Sequence, residues 1–153
     1  MARIRSIKPE FCDSEDTSTL SPLAALTFAG LWNIADDEGR GRFGTILVHG
    51  KLHAVRPGVT PTKTKRALDE LLKRKLLLVY KTDDGTSFFY IPTFKKHQHP
   101  QKPQPSKIPP PPVELLEKYG MSTVPVHSEN GPGGEGEGRW RGDVDGGEGG
   151  VPT

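Results

Sequence analysis

One stretch decides the fold: TPTKTKRALDELLKRK, residues 60–75. Thr60 is a suitable N-cap, and Pro61 suits the first helical position, where a backbone N–H has no partner in any case. At the helical period the stretch has one mainly apolar side and one charged side. The first side holds Thr64, Leu68, Leu71, Leu72 and Lys75, and the opposite side holds Lys63, Arg66, Glu70 and Lys73, flanked by Thr62 and Arg74. The pattern predicts a helix that packs on one side and leaves the other available for contact.

Two β-rich runs follow this helix directly. Residues 76–81 and 87–91 are rich in Leu, Phe and Tyr, and Asp84-Gly85 between them is a strong signal for a tight hairpin turn. A helix that leads into such a hairpin is typical of a winged helix-turn-helix, in which the hairpin forms the wing. The two features together predict an α+β domain of that class.

A buried helix is predicted upstream. Ser21-Pro22 repeats the cap-then-proline start, and residues 23–35 are apolar almost all round. The helix is expected to end in the acidic run Asp36-Asp37-Glu38, where Gly39 can take the left-handed cap conformation. Consecutive side chains on a helix point in different directions, so we interpret the three carboxylates as a solvated helix end rather than a magnesium site.

Residues 40–58 predict a short edge strand followed by a second helix. Arg40-Gly41-Arg42-Phe43-Gly44 supplies the strand, and Thr45 is the expected cap of the helix. The helix is expected to pack through Ile46, Leu47, Val48, Leu52 and Val55. Arg56-Pro57-Gly58 then breaks the chain. Residues 21–98 thus have the order helix, strand, helix, turn, helix, strand, strand of a small winged helix-turn-helix domain.

Two histidines lie four residues apart in the second helix. His49 and His53 have the spacing that places two imidazoles on one helical face and can begin a zinc site. No Glu of an HExxH pattern and no nearby third ligand accompanies them. We therefore interpret both as surface histidines and predict no metal site.

Residues 1–20 are predicted to form a basic arm ahead of this domain. Three cations, Arg3, Arg5 and Lys8, alternate with three apolar residues, Ile4, Ile7 and Phe11. In one interpretation the cations lie along DNA. In the other, the apolar side chains pin an extended arm to the domain while the cations stay solvated. The sequence leaves both open.

The chain changes composition after the hairpin. Residues 99–127 are rich in proline and lysine and predict an extended, disordered linker. Its lysines can follow DNA phosphates, its prolines can bind an aromatic groove in a partner, or it is a plain spacer. A short helix is expected at 113–119, and the Gly-rich, acidic residues 128–153 predict a disordered tail.

Charge is divided unevenly along the chain. The formal net charge of the 153 residues is +2, yet residues 1–112 carry 18 Lys or Arg against 11 Asp or Glu, whereas residues 113–153 carry 3 against 8. A basic body with an acidic tail favours a polyanionic partner, of which nucleic acid is the leading one. Cys12 is the only cysteine, and neither a signal peptide nor a membrane-spanning run is found, so a reducing, cytoplasmic location is expected.

Motifs of enzyme chemistry are missing. The chain has no GxxxxGK[ST] loop and no GxSxG, so nucleotide hydrolysis and acyl transfer have no recognisable site. The carboxylates that could form a nuclease pair, at 36–38 and 69–70, are explained by a helix end and a helix surface. We predict a protein that is not an enzyme and needs no cofactor.

Three separated motifs resemble those of a family of bacteriophage and prophage proteins. They are Arg3-Ile4-Arg5-Ser6-Ile7-Lys8-Pro9-Glu10-Phe11, Gly30-Leu31-Trp32-Asn33-Ile34-Ala35-Asp36-Asp37-Glu38-Gly39-Arg40, and Phe94-Lys95-Lys96-His97-Gln98 with Pro105-Ser106-Lys107-Ile108-Pro109. The family consists of small winged-helix DNA-binding proteins, described as replication initiation or DnaD-like N-terminal domains. The resemblance covers about residues 2–110 and implies DNA binding in the cytoplasm of a bacterial host.

In that setting we expect a role in initiating phage DNA replication. A replisome or helicase-loading partner would be reached through residues 99–127 or through the tail. The sequence leaves open whether the protein forms a homo-oligomer, and we expect no membrane partner.

We expect the helix of residues 60–75 to enter the major groove of duplex DNA, since recognition helices lead with their N-terminal residues. Thr62, Lys63 and Arg66 would lie nearest the bases, and Arg66 is the candidate for a guanine contact. Phosphate contacts would come from Lys65, Lys73, Lys95 and Lys96, joined by Arg3 and Arg5 of the arm. The acidic wing tip, Asp83-Asp84, is not expected to contact phosphate.

Other interpretations of the same helix stay open. Its charged side also fits an ordinary solvated helix, with i,i+4 pairs between Asp69 and Lys73 and between Glu70 and Arg74. A phage transcriptional regulator would use the helix in the same way at a promoter. A replisome interaction module would dock a protein and not bind DNA directly.

Overall fold

The structure is a computed structural model that describes residues 2–120. Within those residues it contains seven helices and a three-stranded antiparallel sheet. The helices are α1 (Glu10–Asp13), α2 (Glu15–Ser18), α3 (Pro22–Ile34), α4 (Thr45–Leu52), α5 (Pro61–Lys73), α6 (Phe94–His97) and α7 (Val113–Lys118), and the strands are β1 (Arg40–Arg42), β2 (Leu78–Lys81) and β3 (Ser87–Tyr90). The α+β class is confirmed, and the order α3-β1-α4-α5-β2-β3 is the one predicted.

The helix that decides the fold, α5, begins as predicted. The Thr60 side chain accepts a hydrogen bond from the Lys63 amide, and Pro61 occupies the first turn. One side of the helix packs against α3 and α4. The buried residues on that side are Thr64, Ala67, Leu68 and Leu71.

The buried helix is α3. The Ser21 side chain accepts a hydrogen bond from the Ala24 amide, and the helix ends at Ile34 because Ala35 is extended. Gly39 has a φ of 80°, as predicted, but it lies in the turn before β1 rather than at the helix end. The core around α3 includes Phe28, Leu31, Trp32, Leu68, Leu71, Leu77, Phe89, Ile91 and Phe94.

The strand order is β1-β3-β2, so β3 is the central strand. The Asp84-Gly85 turn joins β2 to β3 with Gly85 at φ 83°, which confirms the hairpin. Gly41 of β1 lies opposite Phe89 of β3. A Cβ at Gly41 would lie 2.5 Å from the Phe89 ring, so only glycine lets the two strands pair over this side chain.

Three short helices are not predicted by the sequence patterns. Two of them, α1 and α2, interrupt the arm, and α6 follows the hairpin. The second helix also differs in detail, since Gly44 rather than Thr45 occupies the N-cap position of α4. Of the apolar residues expected to pack this helix, Val48 is buried, whereas Ile46 is 70% exposed and Val55 is 96% exposed.

Residues 104–111, which we call the strap, lie against the domain. Four hydrogen bonds hold the strap. They join Gln104 N to Asp37 Oδ2 (2.9 Å), Ser106 Oγ to Asp36 Oδ2 (2.5 Å), Arg40 Nη1 to Ile108 O (2.8 Å) and Tyr80 OH to Pro109 O (2.6 Å). The structure therefore differs here from the predicted disordered linker. Proline lowers the conformational entropy that an extended segment loses on ordering, so a few hydrogen bonds are enough to hold it.

The short helix predicted at 113–119 is observed as α7, and Gly120 follows its end with a φ of 71°. Residues 121–127, the rest of the predicted linker, and the predicted tail at 128–153 lie outside the described residues. Among the helices of residues 2–120, none has the length and apolar character needed to cross a membrane.

Candidate nucleic-acid interface

The orientation of α5 is fixed by the two helices that precede it. His49 Nδ1 of α4 lies 2.8 Å from Thr64 Oγ1 on the buried side of α5. Near the other end, the Glu70 carboxylate accepts hydrogen bonds from the amide and the hydroxyl of Ser21, at 3.1 and 2.6 Å. These contacts leave the opposite side of α5 facing outward.

His53 is buried beside α3, so its interpretation as a surface histidine is wrong. Only 1% of the residue is exposed, and Nε2 lies 2.8 Å from Thr27 Oγ1. Burial lowers the pKa of His53 below its usual 6.5, with help from the positive charges of Arg56 and His49. The uncharged imidazole therefore serves the packing of α4 and not a metal.

The first half of α5 presents polar and cationic side chains to the solvent. The exposed residues are Thr62, Lys63, Lys65 and Arg66. Lys63 Nζ donates to the Gly58 carbonyl at 2.7 Å, which ties the α4–α5 turn to the helix. Lys63 thus has a structural contact that the sequence does not predict.

Lys65 and Arg66 differ in their surroundings. Lys65 Nζ lies 2.7 Å from Asp69 Oδ2, and both side chains are more than half exposed. Such an i,i+4 pair stabilises a helix by about 0.2–0.5 kcal/mol, so a phosphate can displace it at little cost. Arg66 makes no side-chain hydrogen bond or ion pair within residues 2–120 and borders a shallow cavity of 240 Å³ beside Ser21 and Leu23. Its guanidinium is therefore available to a ligand.

Two ion pairs predicted along α5, Asp69–Lys73 and Glu70–Arg74, do not form. Asp69 pairs with Lys65 instead, and Glu70 binds Ser21. Lys73 is exposed and makes no side-chain hydrogen bond within the described part of the chain. It remains a candidate for a phosphate contact.

Arg74 ties the end of α5 to the arm. Its Nη2 donates to the carbonyls of Glu15 and Asp16, at 3.1 and 3.3 Å, and to the Thr19 hydroxyl. The guanidinium therefore stabilises the α2–α3 connection. Arg74 is therefore a structural residue, in contrast to Arg66 in the first half of α5.

Arg5 of the arm is also structural, which corrects its assignment to DNA. Its side chain is 5% exposed, and its donors reach the carbonyls of Trp32 and Ala35 and the Asp37 carboxylate, each at 3.0 Å. The guanidinium lies 4.9 Å from the centroid of the Phe94 ring. A side chain enclosed in this way is not presented to a phosphate.

In the rest of the arm, the second interpretation of the pattern holds only for Phe11, whose ring packs edge-on against Trp32 with centroids 5.2 Å apart. Arg3 Nη1 lies 2.5 Å from Asp37 Oδ2, and its side chain is 36% exposed. Ile4 is 99% exposed and Ile7 is 64% exposed. Cations and Phe11 therefore pin the arm to the domain, whereas the two isoleucines face the solvent.

The arm and the strap meet at residues 36–38, which we call the acidic turn. Asp37 is 3% exposed, so its interpretation as part of a solvated helix end is wrong. Burial raises the pKa of this carboxyl, but the Gln104 amide and the guanidinium groups of Arg5 and Arg3 outweigh that effect and hold the pKa below the usual 3.8. Asp37 is thus an ionised anchor for two segments that are far apart in sequence.

The remaining predicted phosphate contacts, Lys95 and Lys96, lie on α6. Lys95 Nζ pairs with Glu38 Oε2 at 2.6 Å, and its side chain is 67% exposed. The Lys96 carbonyl accepts a hydrogen bond from Lys8 Nζ at 3.3 Å, while the Lys96 residue is exposed. The structure thus joins α6 to the acidic turn and the arm. No hydrogen bond or ion pair within residues 2–120 joins it to the first half of α5.

Two further exposed cations that precede α5 in the chain are not among the residues predicted from the sequence to bind DNA. Lys51 on α4 and Arg56 in the α4–α5 turn are both exposed. Arg56 directly precedes Pro57-Gly58, which sequence reasoning treats as a chain break. The signal that could have identified Arg56 is its position in the turn directly before the candidate recognition helix.

The glycine spacing of GRGRFG, residues 39–44, resembles a phosphate-binding fingerprint, but its first two glycines serve the sheet and Gly44 is the N-cap of α4. Gly41 lies within β1 against Phe89, and a Cβ at Gly39 would lie 2.6 Å from Phe94. The fingerprint requires a loop between a strand and a helix, whereas here a strand runs through it. Within residues 2–120, no group of three His, Cys, Asp or Glu side chains could hold a metal ion.

Comparisons with known proteins add little to this geometry. No family model and no curated protein sequence matches the chain. A solved structure described as the N-terminal domain of a DNA-binding protein is similar at 15% sequence identity and a TM-score of 0.44, covering 69% of this chain and 79% of that chain. A TM-score of that size does not establish a shared fold.

Proposed function

We propose that this protein is a winged-helix DNA-binding protein whose α5 enters the major groove of duplex DNA. One observation carries the proposal: Thr62, Lys65 and Arg66 project from the first half of α5, while the opposite side of the helix is buried. An α-helix fits the major groove, and its N-terminal residues then lie nearest the base edges. Arg66, whose guanidinium makes no hydrogen bond or ion pair within residues 2–120, is proposed to contact a guanine base.

The proposed phosphate contacts are exposed cations of α4, of α5 and of the turn between them. They are Lys65 and Lys73 on α5, Lys51 on α4 and Arg56 in the turn. Lys63 is assigned to hold the turn through Gly58. Lys95 and Lys96 on α6 are exposed and are proposed as secondary phosphate contacts.

The biological setting we propose is initiation of phage or prophage DNA replication. Its support is the resemblance of the arm, the acidic turn and the residues after the hairpin to proteins of that kind. A transcriptional regulator would use the same helix, and footprinting separates the two roles. Protection of an origin supports initiation, whereas protection over a promoter supports regulation.

The function is tested by titrating the full chain into duplex, single-stranded DNA and RNA over a salt series. Duplex affinity should fall with salt, by about 0.9 in log K per unit of log salt for each phosphate neutralised. Arg66→Gln should weaken duplex binding, whereas Lys118→Gln, which removes an exposed charge on α7, should leave it unchanged. Equal losses in the two variants would argue against a site on α5.

A replisome interaction module is the second candidate, favoured by exposed apolar side chains beside the helices. Ile46 on α4 is 70% exposed, and Val55 in the turn before α5 is 96% exposed. These side chains suit a protein partner better than a phosphate backbone. Absence of any nucleic-acid binding at low salt would favour this candidate.

A further inference from the structure

The sheet has an outer face that the core does not use. In paired antiparallel strands, side chains directly opposite one another lie on the same face, and the face alternates along each strand. Phe89 and Gly41 therefore share the inner face, where Phe89 is fully buried. Phe88 points to the outer face.

A row of three side chains crosses this outer face. Arg42 of β1, Phe88 of β3 and Tyr80 of β2 are directly opposite one another in the pairing. Opposite residues have Cβ atoms about 4.5–5.5 Å apart, so the three side chains are neighbours. The rings of Tyr80 and Phe88 have centroids 5.9 Å apart and an interplanar angle of 36°.

The row is open at one end and closed at the other. Arg42 is exposed and Phe88 is half-buried, whereas Tyr80 is 6% exposed and bonds the strap through Pro109. A cation therefore lies beside a half-buried aromatic ring, and the strap lies at the closed end of the row. Lys107 on the strap is exposed and adds a second positive charge. It directly precedes Ile108, whose carbonyl accepts a hydrogen bond from Arg40 of β1.

We infer that this row binds single-stranded nucleic acid. One unpaired base stacks on the Phe88 ring, and the guanidinium of Arg42 contacts the adjacent phosphate. Stacking suits any base because every base has a flat face, and a basic groove supplies the backbone contact. In a duplex the bases are stacked on each other, so the Phe88 ring distinguishes an unpaired strand from a paired one.

This surface is separate from α5 and does not depend on the proposed duplex contact. It belongs to residues of the sheet, while the proposed reader of the major groove is Arg66. A protein with both surfaces can hold a duplex and a neighbouring unpaired strand together. Such a substrate arises wherever a duplex is opened.

The test uses the full chain and a dT oligonucleotide of about 15 nucleotides that carries one 2-aminopurine. Stacking of that base on Phe88 should quench its fluorescence. Phe88→Leu, which keeps an apolar side chain but removes the ring, should weaken binding by about 10-fold to 100-fold and abolish the quenching. Arg42→Gln should reduce the slope of log K against log salt by about 0.7.

The matched control is Lys81→Gln, which removes one charge from the end of β2 on the opposite face of the sheet. It should change single-strand affinity by less than about 2-fold, since an exposed charge away from the strand is screened by salt. Thermal unfolding confirms that each variant is folded. A second comparison is Arg66→Ala, which should bind the oligonucleotide like the natural sequence.

Four results would overturn the inference. The first is that the natural chain does not bind the oligonucleotide at low salt. The second is that Phe88→Leu binds it with unchanged affinity and unchanged quenching. The third is an equal loss in Arg42→Gln and Lys81→Gln, which would indicate nonspecific charge attraction. The fourth is loss of single-strand binding in Arg66→Ala, which would place the strand on α5. Failure of duplex binding alone would overturn the proposed function and leave this site standing.

Discussion

The acidic turn and the first half of α5 hold the same kinds of cation in opposite surroundings. At the acidic turn, Arg3 and Arg5 are paired with Asp37, and Arg5 is almost entirely enclosed. On α5, Arg66 has no partner within residues 2–120, and the Lys65 pair is open to solvent. A count of positive charges along the sequence does not distinguish these regions. The difference lies in which carboxylates and carbonyls the fold places beside each cation.

The acidic turn also gives a physical meaning to the motifs behind the family resemblance. Those motifs are far apart in sequence, yet they meet here. Ser6 of the arm exchanges two hydrogen bonds with Gln98 after α6, at 3.0 and 2.7 Å, and Ser106 of the strap binds Asp36. The motifs therefore describe how the arm and the strap are fastened to the domain. The residues proposed to read DNA lie outside them.

The largest effect is expected at the acidic turn itself. Asp37→Ala should lower the free energy of unfolding by about 3–5 kcal/mol, since it leaves the enclosed Arg5 without its carboxylate. Urea unfolding followed by circular dichroism measures the change. The matched variant Glu38→Ala removes the neighbouring carboxylate, whose partner Lys95 is mostly exposed. Its cost should be below about 1 kcal/mol, and equal costs would contradict the contrast between the two carboxylates.

Acid should destabilise the protein in two pH ranges, one set by His53 and the other by Asp37 of the acidic turn. The folded-state pKa of His53 lies below 6.5, so the unfolded chain takes up the proton first and stability is lost as pH falls below 6.5. The folded-state pKa of Asp37 lies below 3.8, so its contribution is lost as pH falls below 3.8. Urea unfolding at a series of pH values measures both steps.

His53→Gln should reduce the loss of stability that occurs below pH 6.5 and leave the loss below pH 3.8 unchanged. Some of the loss below pH 6.5 should remain, because burial also lowers the pKa of His97, helped by the charges of Lys8 and Lys96. An unchanged loss of stability below pH 6.5 in His53→Gln would contradict the assignment of that loss to His53.

Local signals in the sequence were sufficient for α5 and for the hairpin. Thr60-Pro61 marks the start of the helix, its apolar period marks the buried side, and Asp84-Gly85 marks the turn. Each signal acts between residues close together in the chain. These elements were therefore predicted nearly to their ends.

The acidic turn and His53 could not be predicted in this way, because their partners are distant. Asp37 binds Arg5, 32 residues earlier, and Gln104, 67 residues later. His53 binds Thr27, 26 residues earlier. A run of carboxylates or a pair of histidines has the same local pattern whether it faces solvent or the core. For the same reason, the sequence could not separate the available Arg66 from the occupied Arg74.

The contrast within α5 predicts opposite outcomes for its two arginines. Arg66→Ala should weaken specific duplex binding by about 1–3 kcal/mol and relax one base position, with little change in unfolding free energy. Arg74→Ala should leave specificity unchanged and lower the unfolding free energy by about 0.5–1.5 kcal/mol, because its acceptors on α2 lose a donor. Binding to specific and random duplexes and urea unfolding distinguish the two. Equal losses on both duplexes for Arg66→Ala would refute its role as a base reader.

The smallest effect is expected where the strap lies on the sheet. The Tyr80 hydroxyl donates to the Pro109 carbonyl at 2.6 Å, and burial raises the pKa of Tyr80 to about 12. Tyr80→Phe should lower the unfolding free energy by about 1 kcal/mol, because Pro109 is exposed and water can replace the lost donor. The strap should then open more often, so trypsin should cleave faster after Lys107.

Tyr90→Phe is the matched control for the strap. Tyr90 is half-buried in β3, and its hydroxyl makes no hydrogen bond to another residue in the 2–120 range. Removing that hydroxyl should change neither the unfolding free energy nor the rate of cleavage after Lys107. Faster cleavage in Tyr80→Phe alone would mean that the bond to Pro109 helps hold the strap on the sheet. Equal rates in the two variants would mean that the strap is held by Asp36, Asp37 and Arg40 alone, so that its attachment belongs to the acidic turn and not to the outer face of the sheet.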